Sequence, residues 1–284
     1  MSLWTAHGLP KPDMSAALKA QSYRRTAVFG FMLVVPLAFA VGAAGAQPKR
    51  AVTTSNFAEI EVSLDETIKG LPKLAADCRR EGDRWAAKWR KDAAKALRED
   101  ATMRENGAHW ALEREYEAAS VIGRYVSVLR SDYLNTGGAH PNTEIDTILW
   151  DGARNRRVSI RPLFAETADN GATMTALAAL LRIAIIAEKR NRGVPQELID
   201  DPQWLKGIEP KLLALGPVTL TPSTERGKSA GLTFHYSPYA VGPYAEGTYT
   251  IFLPAKDFAA HLSDEGRALF GGERPAGDIK KYQP

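Results

Sequence analysis

The sequence contains a single cysteine, Cys78, among 284 residues. One thiol can form neither an intrachain disulfide framework nor a cysteine-rich zinc site. Histidine is also scarce, with five residues scattered along the chain and no H-E-x-x-H motif. One histidine and one acid lie four apart, His140 and Glu144, but Pro141 and strand-like flanks remove the helical geometry that such a pair needs. We therefore expect neither a metal nor a cofactor.

Extremes of composition are absent as well. Charged residues make up 25% of the chain, aromatic residues 8% and hydrophobic residues 44%. These ordinary proportions exclude disorder and collagen-like repeats for most of the chain. They provide enough apolar material for one large domain or two modest domains.

The N-terminus has the three parts of a secretory signal. Residues 24–25 are two arginines, residues 27–41 are an apolar run, and residues 44–46 read Ala-Gly-Ala. A basic segment, an apolar segment and a small-residue cleavage site in this order predict a signal peptide over residues 1–46. We expect cleavage after Ala46 and a periplasmic or secreted mature protein.

Several variants of this export hypothesis stay open. Met14 could be the true start, and the arginine pair could indicate twin-arginine export, although the residues after it fit that signal poorly. An uncleaved segment over 27–46 is close to the minimum length for a membrane anchor. A lipoprotein is excluded, because Gln47 stands where the lipidated cysteine would be.

The net charge of the full chain, +4, overstates how basic the mature protein is. Residues 1–46 contain four basic residues and one acidic residue, so their removal leaves a net charge of +1. A nucleic-acid partner has no electrostatic support at this charge. In an oxidising compartment a single thiol has no partner within the chain. We therefore expect Cys78 to be a buried apolar residue rather than a reactive thiol.

Hydrophobic periodicity places helices and strands along the mature chain. Alternating or β-branched segments predict strands over residues 57–64, 110–116, 121–130, 143–150, 218–221, 232–236 and 248–253. Helical spacing predicts helices over residues 70–105, 172–189 and 255–262. Strands grouped with helices, without strict βαβ alternation, indicate an α+β fold.

The helix over 70–105 permits two interpretations. Its apolar residues form one stripe, which predicts a core-facing side: Leu71, Leu74, Cys78, Trp85, Trp89, Ala93 and Leu97. The other faces carry nine basic residues between Lys73 and Arg98 against four acidic ones. They could bind anionic polymers or lipids, or they could be a solvated face over a tryptophan-anchored core.

A formal G-x-S-x-G match surrounds Ser229, in residues 227–231. A nucleophile elbow needs a strand before it and a helix after it. Here a Pro-Ser-Thr segment precedes the match and a strand follows it, which is typical of a hairpin turn. We therefore expect no catalytic role for Ser229, and no other catalytic constellation stands out.

Two segments have unusual compositions for connections between strands. Residues 132–142 contain a Gly-Gly pair followed by His-Pro, and residues 234–247 contain three tyrosines, two prolines and two glycines. Tyrosines on rigid loops offer flat faces and hydroxyl groups to a ligand at low entropic cost. The candidate ligand-binding residues are Tyr133, Gly137, Gly138, His140, Asn142, Tyr236, Tyr239, Tyr244 and Glu246. We expect the two connections to lie side by side, either as a shared surface or as a buried structural corner.

These two segments also carry a resemblance. Residues 133–142 read Y-x-x-T-G-G-A-H-P-N, and residues 234–247 read F-x-Y-S-P-Y-x-x-G-P-Y-A-x-G. The pair resembles a family of extracytoplasmic domains found in the lysozyme-sensing anti-sigma factor RsiV and in the non-catalytic N-terminal region of the peptidoglycan deacetylase PdaC. The resemblance covers roughly residues 55–262. It implies an α+β fold with a twisted antiparallel sheet. Together with the helices predicted from spacing, we expect a long N-terminal helix and a second helix packed on this sheet.

The resemblance also implies a domain organisation and a class of partner. The signal peptide would be followed by an N-terminal part over 47–150, a C-terminal part over 151–262 and a disordered tail over 263–284. Neither a sigma-binding domain nor a deacetylase domain is recognisable, so we expect a free-standing, non-enzymatic binding module. Its partner would be a cell-wall glycan or a wall-active protein such as lysozyme. The alternatives are an envelope hydrolase using groups near His140 or Glu246, and a structural envelope protein.

Overall fold

The computed structural model describes residues 51–55, 57–100 and 109–277. The predicted signal peptide and residues 278–284 of the predicted tail lie outside these ranges. Within them, no helix combines the length and the apolar character that a membrane crossing requires.

The first sheet has six strands in the order in which they occur along the chain. They are β1 (Ala51–Ser55), β2 (Ala58–Leu64), β3 (Trp110–Ile122), β4 (Tyr125–Asn135), β5 (Asn142–Asp151) and β6 (Arg156–Val158). All neighbouring pairs are antiparallel except β2 and β3, which are parallel. The predicted antiparallel sheet is therefore confirmed with one exception. That exception follows from the helical crossover between β2 and β3, because parallel neighbours need a long connection.

The crossover contains α1 (Glu66–Lys69) and the long α2 (Pro72–Glu99). Pro72 occupies the first turn of α2, where its missing N–H has no helical partner to lose. The predicted apolar stripe faces the sheet from Leu74 onward, with Leu74 and Cys78 fully buried. Leu71 is the exception, because it precedes the first turn of α2 and is 37% exposed. Gly82 does not interrupt the helix; a Cβ at this position would lie 2.6 Å from Val62, so glycine permits a close helix–sheet approach.

The second sheet contains β7 (Val218–Pro222), β8 (Ser229–Tyr236) and β9 (Tyr249–Pro254), with β8 in the centre. The helix α3 (Ala172–Asn191) packs against β9, and α4 (Gln196–Ile199) follows it. The second predicted helix therefore packs on this separate sheet rather than on the first one. Its buried residues Met174, Leu177 and Leu181 share a core with Leu232 and Phe234 of β8.

The first sheet lies between α2 and the second sheet, and alternate side chains along its strands face one or the other. In β4 and β5, and in β3 as far as Ala118, the even-numbered residues face α2 and the odd-numbered ones face the second sheet. The register of β3 shifts between Ala118 and Ser120, so Ser120 and Ile122 face the second sheet. Buried side chains on that second face bond to the backbone of β7: Ser120 Oγ donates to the Leu220 carbonyl at 2.7 Å, and Leu220 N donates to Ser127 Oγ at 3.0 Å. Hydroxyl groups thus satisfy the backbone of a strand that runs over the first sheet.

Three sequence predictions need correction. The predicted strand over 121–130 contains the β3–β4 turn at Gly123, which has φ +57°. The predicted helix over 255–262 is a 3-10 helix, Ala255–His261. The tail over 263–284 is not disordered at its start, since α5 (Asp264–Leu269) follows the N-cap Ser263 and the next residue, Phe270, is buried.

The division at residue 150 does not separate two cores. Ile122, Tyr125 and Leu149 precede this position, yet they pack in the same hydrophobic core as α3 and the second sheet. All described residues belong to one compact unit. The two parts implied by the resemblance are therefore stretches of one folded body.

Candidate functional site

The β4–β5 connection and the β8–β9 connection meet at one end of the molecule, as predicted. The His140 ring stacks on the Tyr244 ring, with centroids 3.8 Å apart and planes at 23°. Tyr239 completes the group, its centroid 5.6 Å from that of Tyr244 and 6.0 Å from that of His140. We call His140, Tyr239 and Tyr244 the aromatic cluster.

Hydrogen bonds fix the imidazole within the aromatic cluster. His140 Nδ1 lies 2.8 Å from the carbonyl oxygen of Pro141, which can only accept, so Nδ1 carries the proton. His140 Nε2 lies 3.1 Å from the Tyr239 hydroxyl. In the neutral imidazole this second nitrogen accepts from the hydroxyl, and the ring is oriented from both sides.

The backbone of both connections is unusual at the aromatic cluster. Gly137 has φ +81°, and its N–H donates to Asn135 Oδ1 at 3.2 Å. Tyr239 has φ +69° in the left-handed region, which side chains other than glycine rarely adopt. Its side chain is nevertheless 50% exposed. A strained backbone that presents an exposed ring is the kind of feature found at functional sites.

A buried ion pair anchors the connection that carries Tyr244. The 3-10 helix Tyr244–Glu246 ends with the carboxylate of Glu246, whose Oε2 lies 2.6 Å from Nζ of Lys189 on α3. The side chains of Lys189 and Glu246 are 1% and 7% exposed. The Tyr249 hydroxyl donates to the same oxygen, and burial and this bond raise the pKa of Tyr249.

The environment of this ion pair leaves no spare space. A Cβ at Gly242 would lie 2.4 Å from Glu246 Oε2 and 2.8 Å from Lys189 Nζ. Arg192 adds bonds to the backbone, donating to the carbonyls of Glu246 at 3.1 Å and Thr248 at 2.9 Å. The β8–β9 connection is therefore attached to the end of α3.

The other predicted site residues lie elsewhere. Tyr236 is a core residue, and its hydroxyl donates to the Leu215 carbonyl at 2.7 Å, so it is not available to a ligand. Glu246 belongs to the buried ion pair. Asn142 begins β5 and pairs with Leu134, and Tyr133 is 36% exposed on β4. Within the described ranges, no ring contact or hydrogen bond joins Tyr133 to the aromatic cluster.

Ser229 of the G-x-S-x-G match is fully buried at the start of β8. Its hydroxyl lies 3.0 Å from the Thr221 carbonyl and 2.8 Å from the Gly231 carbonyl. It also accepts from the N–H of Thr221 at 3.1 Å. These bonds stabilise the β7–β8 hairpin, and they confirm the expectation that the match is a turn entering a strand.

A polar cavity of about 130 Å³ lies between the two sheets, and nothing in the sequence predicts it. Its lining includes three threonines and one histidine that alternate along β7 and β8: Thr219, Thr221, Thr233 and His235. His235 Nε2 lies 2.9 Å from Thr219 Oγ1, and burial lowers the pKa of His235 to about 4. Polar residues at alternate strand positions are typical of a solvent-facing side, so this pattern does not reveal that the layers bury the face.

Two acidic residues that sequence alone could not place lie opposite each other. In the antiparallel register, Asp132 of β4 lies directly opposite Glu144 of β5. Asp132 is buried and its Oδ1 accepts from Arg114 Nε at 2.6 Å, while the Arg114 guanidinium lies 4.7 Å from the Trp85 ring centroid. Asp132 is therefore occupied by an ion pair. Across the described part of the chain, no three His, Cys, Asp or Glu residues are grouped so that they could hold a metal ion.

Comparison with known proteins assigns part of the chain to a family model. Residues 169–256 match DUF3298, "Protein of unknown function". The match covers α3 and the second sheet, including the β8–β9 connection with Tyr239 and Tyr244. No curated protein sequence is significantly similar to the chain.

Two solved structures of DUF3298 proteins are similar to this structure. A member of the DUF3298 family from Bacteroides fragilis NCTC 9343 has a TM-score of 0.51 at 18% identity, covering 76% of this chain and 92% of that chain. A DUF3298 family protein from Pseudomonas aeruginosa PAO1 has a TM-score of 0.45 at 16% identity, covering 79% and 96%. At 18% identity, the similarity to the Bacteroides fragilis structure shows that the fold is shared.

Proposed function

We propose that the protein is a non-enzymatic binding module of the cell envelope that recognises a cell-wall glycan through the aromatic cluster. The observation that carries the proposal is the hydrogen-bonded stack of His140, Tyr239 and Tyr244, in which His140 and Tyr239 are exposed and Tyr244 is half-buried. The signal-like N-terminus supports a location outside the cytoplasm.

The chemistry of the aromatic cluster suits a sugar. Aromatic rings offer flat apolar faces to the C–H groups of a pyranose, and the Tyr239 hydroxyl can exchange hydrogen bonds with sugar hydroxyl groups. The rings are already fixed by stacking and by the His140 bonds. A fixed surface loses less conformational entropy when it binds.

The size of the aromatic cluster favours a glycan over a protein partner. Three partly exposed rings present on the order of 200 Å², since a whole aromatic side chain buries 150–250 Å². A standard protein interface needs about 800 Å² on each partner. A wall-active protein such as lysozyme would need further contact surface beyond the aromatic cluster. Lysozyme binding is therefore measured as a separate arm of the experiment described below.

The hydrolase alternative has little support among the described residues. It would rely on acid or base groups near His140 or Glu246. Glu246 is held by Lys189 and Tyr249, and His140 is held by Pro141 and Tyr239. The buried Ser229 is bonded to backbone groups.

Sedimentation with purified peptidoglycan tests the proposal, and lysozyme immobilised on a sensor forms the parallel arm. We expect the unaltered protein to sediment with peptidoglycan. His140→Ala and Tyr244→Ala should each reduce the bound fraction at least fivefold. We expect each to change the unfolding free energy by less than about 1 kcal/mol, because His140 is exposed and Tyr244 lies outside the hydrophobic core.

Ile183→Ala is the matched control, since Ile183 is a large apolar residue that is 67% exposed on α3, outside the aromatic cluster. It should leave sedimentation unchanged. Binding to lysozyme but not to peptidoglycan would replace the glycan by a protein partner. Unchanged binding in both cluster variants would refute the proposed surface, and a loss of 2–4 kcal/mol without loss of binding would make the cluster a structural corner.

A further inference from the structure

A second cavity, of about 380 Å³, lies at the opposite end of the first sheet from the aromatic cluster. The cluster adjoins the start of β5 at Asn142, whereas this cavity adjoins its end at Asp151. Ten strand residues span about 30 Å. The polar and aromatic groups at its wall include Tyr125, Asp151, Arg154, Arg156, Arg161 and Glu265.

The wall is built on a fixed turn. Asp151 is completely buried, and its Oδ1 accepts from the N–H of Ala153 at 3.0 Å and of Arg154 at 3.1 Å. Asn155 then takes the left-handed conformation, with φ +51°, and the chain turns back into β6. This turn places Arg154 and Arg156 on either side of the hairpin end.

The acidic residues of the wall are already engaged. Asp151 Oδ2 lies 3.3 Å from Nε of Arg124. The same arginine lies 2.9 Å from Glu265, which also accepts from the Tyr125 hydroxyl at 2.6 Å. Arg124, which is not part of the cavity wall, therefore balances part of the negative charge of Asp151 and Glu265. The charge of the wall arginines is left largely uncompensated.

The arginines of the wall differ in their partners. Arg157 is compensated from α2, at 2.6 Å from Asp77 and in contact with Glu81. Arg154 has only a distant partner, with its Nε 3.7 Å from Asp151 Oδ2. Arg156 and Arg161 form no ion pair with any described residue, and Arg161 donates to the carbonyl of Thr167 at 2.7 Å. The cavity wall is therefore positively charged. Arg156 and the N–H groups of Arg161 other than the one on Thr167 are the donors that an anion could meet.

We propose that this cavity binds a sugar-sized anion, a saccharide that carries a phosphate or carboxylate group. Guanidinium groups bind both oxyanions through paired, parallel hydrogen bonds. The volume equals that of about a dozen water molecules, so a lone phosphate would leave most of it hydrated. Leu149, Val158 and Pro162 provide an apolar wall for the body of the ligand. The volume lies within the range of small-molecule sites.

Isothermal titration of the purified protein tests the assignment with four probes: glucose 6-phosphate, glucuronate, inorganic phosphate and glucose. We expect the two sugar anions to bind, inorganic phosphate to bind at least tenfold more weakly, and glucose not to bind. Equal affinity for inorganic phosphate and glucose 6-phosphate would overturn the sugar-sized ligand. Absence of binding by both sugar anions would overturn the site.

Variants locate the binding. Arg156→Gln and Arg161→Gln should each weaken the binding of the sugar anions at least fivefold, and Arg156→Lys should weaken it less because it keeps the charge. Arg190→Gln is the matched control, since Arg190 is an exposed arginine on α3 and is not part of the cavity wall. An equal loss in the control would reveal non-specific attraction and overturn the proposal. Because Tyr244→Ala should leave this binding unchanged, the result is independent of the proposed glycan surface.

Discussion

The imidazole of His140 stacks on the ring of Tyr244 although the two residues come from connections in different sheets. The contact joins the β4–β5 connection to the β8–β9 connection at one end of the molecule. Each connection is fixed at its base by strands, so the rings are held in place before any ligand arrives. This is the feature that separates the aromatic cluster from ordinary surface tyrosines.

The first prediction concerns Tyr239→Gly. Glycine adopts φ +69° without steric cost, so the substitution should remove backbone strain and raise the unfolding free energy by up to about 1 kcal/mol. It also removes an exposed ring and the hydroxyl that contacts His140 Nε2. We expect reduced sedimentation with peptidoglycan at unchanged or higher stability, measured by urea unfolding.

Tyr239→Phe is the companion variant, because it keeps the ring and removes only the hydroxyl. It should retain more binding than Tyr239→Gly. A glycine variant that is several kcal/mol less stable would show that the Tyr239 ring supports the fold, and the functional interpretation of its backbone would fail.

The sequence predicts that the two connections meet, on the ground that connections between antiparallel strands lie at common ends of a sheet. They do meet, although they belong to different sheets. A Gly-Gly pair and His-Pro in one connection, and prolines with tyrosines in the other, mark rigid and irregular backbone at strand ends. The role of each tyrosine could not be predicted in the same way. Tyr236 is the last residue of β8 and points into the core with Leu232 and Phe234, whereas Tyr239 follows three residues later and is exposed. Tyr236 follows the alternation of the strand, whereas Tyr239 lies beyond the end of β8 in the left-handed conformation, where alternation predicts nothing.

The partition of strands into sheets was also beyond the sequence. Strands β7, β8 and β9 have the same alternating signal as β3, β4 and β5, because both sheets bury one face on a helix. The polar residues Thr219, Thr233 and His235 are typical of a solvent-facing side, so the sequence does not reveal that β7 and β8 also bury their second face. All eight residues of β8 are buried, as expected for the centre of a covered sheet.

The second prediction is a pH dependence of stability caused by His235. Burial lowers the pKa of His235 to about 4 from an ordinary value of 6.5. Between these values the unfolded chain binds a proton that the folded chain does not, so stability falls as the pH falls from about 6.5 to about 4. The shift predicts a loss of about 3 kcal/mol across this window.

Urea unfolding at pH 7 and pH 4 measures this effect in the unaltered protein and in His235→Asn. The variant keeps a polar side chain next to Thr219 but does not titrate. Carboxyl groups that titrate in the same window contribute to both proteins, so the difference between their pH profiles isolates His235. Parallel profiles would contradict the prediction.

The third prediction is that the Cys78 thiol is inert in the folded protein. Burial is the main reason why its pKa is raised to about 12, against the opposing charge of Arg157. The thiolate is the reactive form, so both its scarcity and its burial should protect the residue. We expect an aromatic disulfide reagent at pH 8 to label one thiol per chain in urea and almost none in buffer. Complete labelling of the folded protein within minutes would contradict this expectation.

The fourth prediction concerns the ion pair beneath the aromatic cluster. Lys189→Met should leave the carboxylate of Glu246 buried beside Tyr249 without its positive partner. Breaking a buried pair from one side costs about 3–5 kcal/mol, and we expect a loss of this order in urea unfolding. The connection that carries Tyr244 should also shift, so glycan sedimentation should fall although Lys189 is itself buried.

Two comparisons distinguish this anchoring role from a general effect of losing a lysine. Lys95→Met removes a lysine from the exposed Lys95–Glu99 pair of α2, where the side chains are 64% and 67% exposed, and should cost less than about 0.5 kcal/mol. The double variant Lys189→Met with Glu246→Gln removes both charges and should recover part of the lost stability, because no buried charge is left unpaired. If the double variant were less stable than Lys189→Met, the interaction would not be the charge pairing described here. If Lys189→Met lost stability but bound peptidoglycan fully, the ion pair would stabilise the fold without positioning Tyr244.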